Sequence, residues 1–128
     1  MARRILHVIQ SAYRGTLEEQ DDTSLWLVQA LKGAGADPHV LLSGNAVNYL
    51  ARGQDASGLR FGDRAQTHPP AIEADLQRIS SKGIELRYVA EDALERGLEG
   101  NALAPGASPV ARADLSRLFE KYEQVWQW

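Results

Sequence analysis

The chain has 128 residues, a net charge of −3 and a pI near 5.6, which fits one domain, residues 1–128, large enough to bury roughly two thirds of its unfolded surface. That balance excludes nucleic acid and anionic membrane as main partners, because both need a clustered basic surface and only Arg3 and Arg4 sit together. The sequence holds no cysteine, so disulfides, thiolate metal sites and thiol catalysis by this chain are excluded.

From the N-terminus, "RILHVIQ" (4–10) is apolar and β-branched at most positions, as expected of a strand covered on both faces. The polar stretch "SAYRGTLEEQ" follows. "DDTSLWLVQALKGAG" then predicts a helix, with Asp22 or Thr23 as its cap, Leu25, Val28 and Leu31 on one side, Trp26 in the core, and glycines at its end. "DPHVLLSG" (37–44) predicts the second strand, and "NAVNYLARG" a short helix closed by Gly53. Residues 54–68, with Asp55, Arg60, Asp63 and Arg64 among two glycines, lack periodicity and predict a loop or flap.

Pro69 and Pro70 are placed to open the next helix, where their missing N–H groups cost nothing, and Ile72, Leu76 and Ile79 share one face up to Gly83. "IELRYVA" (84–90) predicts a third strand, running into the acidic helix "EDALERGL", after which Gly97 suits a positive φ. Ser108 and Pro109 predict the start of another helix with a buried stripe of Leu115, Leu118, Phe119 and Tyr122, and "EQVWQW" predicts a closing strand. Strands alternating with helices imply a largely parallel sheet of about five strands in a three-layer α/β/α fold, flavodoxin-like in outline, with the first and third strands central. No apolar run approaches the roughly 20 residues of a membrane span, which predicts a cytoplasmic protein with neither anchor nor signal peptide.

In such a sheet, ligands bind beyond the carboxyl ends of the strands. The predicted surface comprises the loop at 11–20, where Tyr13 and Arg14 are the best ligand contacts, together with Asn45, Asn48, Glu91 and Asp92. Arg14 has the alternative of pairing with Glu18 or Glu19. Neither a Walker loop nor G-x-G-x-x-G occurs, the two glutamates would repel a phosphate, and no aspartate ends the third strand as in a receiver domain. No cofactor is implied. Glu91 and Asp92 are expected to stabilise the N-terminus of their own helix, the alternative being a carboxylate base with a raised pKa. His7, His39 and His68 lie too far apart in sequence to suggest a metal site, and the first two are expected to be structural. Trp126 and Trp128 alternate with Gln127, so both rings share one strand face, covered either by the helix carrying Leu118 and Tyr122 or by a partner at an interface.

The spacing around 86–97 resembles that of the DsrE/DsrF/TusD family of sulfur-relay proteins. There, a strand of this kind ends in a cysteine and an Arg-Gly pair follows after six residues; here Val89 takes the place of the cysteine and Arg96-Gly97 follow. Ala93-Leu94 are similar to the family's small and apolar helix residues, Asn45-Ala46-Val47 to its Asp-Gly-Val, and "YEQVWQW" to its aromatic last strand. The resemblance runs from Arg4 to Trp128. It implies a DsrE-like domain, assembly as a trimer or hexamer or with a related subunit, and, in active members, a persulfide passed between cysteines. Val89 cannot carry one, and Asp92 stands where a second family cysteine sometimes occurs. The resemblance therefore implies a non-catalytic partner or binding subunit; a small-molecule enzyme or ligand-binding protein is the alternative.

Overall fold

In the computed structural model, which describes residues 3–13 and 22–128, Arg4–Ile9 form β1, with Leu6, His7, Val8 and Ile9 all buried. Helix α1 (Thr23–Gly33) starts where Asp22 accepts the N–H groups of Ser24 and Leu25 at 3.0 and 3.1 Å, satisfying donors that the first turn leaves orphaned. Strand β2 (Asp37–Leu42) leads into a 3-10 turn over Gly44–Leu50. The expected flap carries a minimal hairpin, β3 (Arg60–Phe61) and β4 (Arg64–Ala65), turned at Gly62 with φ +63°. Helix α2 covers Ile72–Ser81. It starts after the prolines rather than on them, because Pro70 keeps Pro69 out of the helical region.

Strand β5 (Leu86–Val89) passes directly into α3 (Ala90–Glu95), and Gly97 follows with φ +72°. Ser108–Val110 form a strand, β6, which corrects the expectation that Ser108-Pro109 starts a helix. Proline is tolerated there because β6 lies at a sheet edge, where one ladder of hydrogen bonds is absent anyway. Helix α4 (Leu115–Phe119) and β7 (Gln124–Gln127) complete the described elements.

Among the described residues five strands form a parallel sheet in the order β6-β5-β2-β1-β7. The middle strand is β2; β1 and β5, expected to be central, are its two interior neighbours. One face packs against α1 and α2, with Ile9, Val40, Leu42 and Leu86 meeting Leu25, Val28, Leu76 and Ile79. The other face is covered far more thinly. Leu6, Val8, Leu41 and Val89 meet Leu118, with Leu115, Phe119 and Tyr122 around it. The α/β architecture is thus as expected, with one full helical layer and one short one.

Trp126 and Trp128 share a face as expected, but Leu118 and Tyr122 lie on the opposite side of the sheet and cannot cover them. The rings gather on His7 instead. Trp126 meets it edge-on at 5.3 Å between centroids, and Trp128 donates its indole N–H to His7 Nδ1 at 3.1 Å. Because an indole only donates, Nδ1 must accept, and the proton of neutral His7 lies on Nε2, which is buried without a hydrogen-bond partner among the described residues. Trp26 is 56% exposed, correcting its placement in the core. Leu25 and Val28 point inward from α1 and rotate Trp26 away, beside a hollow shared with Trp128.

Burial holds His7 below its ordinary pKa near 6.5, and His39 shifts the same way, burial there outweighing the attraction of Glu85 and Asp37. Folded His7 binds fewer protons than unfolded His7, so its contribution to stability is complete above the unfolded pKa and is lost as pH falls below it towards the folded value. The urea midpoint is expected to drop between about pH 7 and pH 5. His7→Gln, which keeps an acceptor for Trp128, should flatten part of that slope; an identical slope in the variant would exclude His7 as a source.

Candidate functional site

The carboxyl ends of β1, β2 and β5 lie side by side, and on the thinly covered face they form the floor of an open hollow of about 540 Å³. Val8, Leu41 and Val89 make that floor, each from a different strand, and Leu115 and Phe119 of the last helix make one wall. Alternation along parallel strands explains the grouping. Val8 pairs with Leu41, and continuing the registers by two residues places Gln10 and Ser43 above them, with Val89 alongside Ser43. Gln127, opposite Val8 on β7, reaches the same space. Val89, which the resemblance sets against the family's cysteine, is only 1% exposed.

Asp92 and Arg112 form the charged part of the rim. One oxygen of Asp92 accepts the N–H of Gly44 at 2.7 Å, pinning the start of the 3-10 turn after β2, while the other binds the Arg112 guanidinium. Glu91 accepts the backbone N–H of Arg112 with both oxygens, at 3.0 and 2.8 Å. Neither side chain caps its own helix. Their position in the first turn still suits the helix dipole, but their hydrogen bonds go outward to two neighbouring junctions, which corrects the expectation that they satisfy their own helix's N–H groups. Asp92 beside it strengthens the preference of Arg112 for its charged form.

The remaining predicted residues divide into two groups. Asn45 accepts from Arg96 Nη2 at 2.9 Å and Nε at 3.3 Å, and Arg96 also donates to the carbonyl of Asp92 at 3.0 Å, so Asn45 braces the rim without lining the hollow. Tyr13 and Asn48 meet elsewhere, around Gln54. The Tyr13 hydroxyl donates to Gln54 Oε1 at 2.6 Å, and Gln54 Nε2 donates to the carbonyl of Asn48 at 3.1 Å. Tyr13, with φ +59°, also donates its backbone N–H to the hydroxyl of Tyr49, which in turn binds Asp22. Arg14, Glu18 and Glu19 lie outside the described residues.

Two site residues carry no signal in the sequence pattern. Arg112 enters the rim through contacts some twenty positions back along the chain. Ser43 precedes the 3-10 turn as a capping serine would, yet makes no side-chain cap; its hydroxyl is buried without a hydrogen-bond partner among the described residues. The strand-to-helix junction at 86–100 has no serine or threonine of its own, and the neighbouring strand supplies this hydroxyl. Among the described residues no histidine or lysine lines the hollow, and the carboxylate of Asp92 is already engaged by Gly44 and Arg112. Among the described residues no base lies within hydrogen-bond reach of the hydroxyl.

Asp92→Ala should destabilise the fold by about 1 to 2 kcal/mol, chiefly by leaving the Gly44 N–H without its acceptor. Asp92→Asn, retaining one carbonyl oxygen, should recover part of this. Urea denaturation gives the energies, and hydrogen exchange at Gly44 tests the cause: exchange unchanged in Asp92→Ala would refute it.

No protein-family model matches the chain, and no curated protein matches it. Solved structures do. Superposed on the YchN protein from E. coli, the fold gives a TM-score of 0.73 at 18% sequence identity, covering 100% of both chains. A protein of unknown function, MTH1491 from Methanobacterium thermoautotrophicum, gives 0.62 at 14% identity over 97% of this chain and 98% of that one. The likeness covers the whole chain and establishes for it the α/β fold of YchN, a DsrE-like fold.

Proposed function

We propose that this chain is a cysteine-less member of the DsrE/DsrF-like proteins, acting in the cytoplasm as a non-catalytic oligomeric partner or binding subunit related to the sulfur relay. The observation that carries this reading is Val89. It occupies the floor of the strand-end hollow, at the point where the resemblance puts the sulfur-carrying cysteine, and no cysteine exists elsewhere in the chain to replace it. A valine side chain has no nucleophile to load.

Self-association, as a trimer or hexamer, or docking on a related subunit is favoured by β7. The strand forms one edge of the sheet and carries Val125 and Trp126, each 38% exposed, with Trp26 also exposed on α1. It holds no lysine or proline of the kind that protects exposed edges. Aromatic side chains in this position commonly anchor interfaces.

Incubation with a persulfide donor should leave the intact mass unchanged; a stable gain of one sulfur atom would sink the non-catalytic reading. Light scattering after size exclusion should give a mass several times the 14.1 kDa of one chain, and a persistent single-chain mass would remove self-association. Trp126→Ala should then dissociate the assembly into folded protomers. Trp128→Ala should instead lower stability by about 2 to 3 kcal/mol, since that ring packs on the core and binds His7.

A further inference from the structure

The hollow over Val89 contains neutral hydrogen-bonding groups that the fold leaves unused. Ser43 Oγ is the clearest. It is buried, and the Ala46 N–H that a capping serine would take is given to Ser43's own carbonyl at 3.1 Å. The carboxamides of Gln10 and Gln127 project into the same space from the flanking strands and hydrogen-bond to nothing among the described residues. Beneath them lie the apolar side chains of Val8, Leu41 and Val89. The two charged residues of the described lining, Asp92 and Arg112, are paired with each other, so the lining offers a ligand no unpaired charge.

The geometry points to a binding site for a small uncharged molecule, with an apolar body resting on Val8, Leu41 and Val89 and an amide or hydroxyl head bonded to Ser43 and the two glutamines. An anion would face Asp92 and a cation would face Arg112, in each case bringing an uncompensated charge over an apolar floor. A neutral head meets groups able both to donate and to accept. The volume of about 540 Å³ lies within the range of small-molecule sites. This inference is separate from the partner role. The aromatic edge proposed for association, with Trp126, lies on the other face of the sheet, so either statement can fail alone.

The test is a titration of the uniformly ¹⁵N-labelled chain, followed by NMR, with benzamide, nicotinamide and benzyl alcohol as neutral probes. Benzoate and benzylamine serve as charged controls of the same shape. At least one neutral probe should give saturable shifts in roughly the millimolar range, concentrated on the side-chain NH₂ groups of Gln10 and Gln127 and the amides of Ser43 and Gly44. Both charged controls should bind more weakly. Ser43→Ala should weaken the best probe about fivefold to tenfold, and Val89→Phe, which fills the floor, should abolish its binding. Absence of saturation by all three neutral probes overturns the inference, as does preference for benzoate or benzylamine. Equal affinity in Ser43→Ala overturns it as well, and that variant decides alone if Val89→Phe does not fold.

Discussion

Around the strand ends, the structure depends on what the Asp92 carboxylate does with its two oxygens. One is committed to a backbone N–H and the other to a guanidinium, so a single side chain joins the turn after β2, the start of α3 and the turn before α4. Hydrogen bonds with an ionised partner are roughly twice as strong as neutral ones, and Asp92 is largely shielded from water, its side chain being 14% exposed. Glu91 adds the backbone of Arg112 to the same assembly. The rim of the hollow therefore has its shape before anything enters it. A site built this way favours binding through preorganisation, since little ordering remains to be done when a ligand arrives.

The unequal helical layers set a second constraint. Helices α1 and α2 bury one face of the sheet with complementary apolar side chains, whereas the other face relies on five residues of α4 and the ring of Tyr122. Tyr122 is held firmly for so short an element: its hydroxyl meets His39 Nδ1 at 2.7 Å and accepts from Arg87 at 2.9 Å. This polar lock sits at the amino end of the strands, and the hollow opens at their carboxyl end. The thin layer is thus secured at one end and leaves concave space at the other.

Much of this was legible in the chain itself. Strands β1 and β2 are buried on both faces, and such strands read as unbroken apolar runs; α1 announces itself through Asp22 and the spacing of Leu25 and Val28. Ser108-Pro109 misleads because the same pair marks a helix start or an edge strand, and only pairing with β5 decides. Trp26 misleads because α1 is apolar on several sides, so the moment of the helix does not single out its inward face. Of the predicted site, Asp92 lines the hollow and Glu91 and Asn45 brace it, while Tyr13 and Asn48 belong to another cluster. Ser43 and Arg112 were not legible, because a serine before a turn ordinarily caps it and an arginine's partner twenty residues away leaves no trace in local periodicity.

The pairing of β7 with β1 has a consequence for how the chain is made. Ile5 lies opposite Gln124 and Val8 opposite Gln127, and the ladder continues where Trp128 accepts from Gln10 at 3.0 Å and donates to Val8 at 2.9 Å. Of the described strands, the first to be synthesised is sealed by the last. At roughly 5 to 20 residues per second, about 6 to 24 seconds separate the two events, and throughout that interval the outer edge of an apolar strand has no partner among the described strands. Helix α1 and strand β2 can cover β1 early, but they leave that edge open. Contacts so distant in sequence form slowly, so the nascent chain depends during synthesis on whatever shields one unpaired edge.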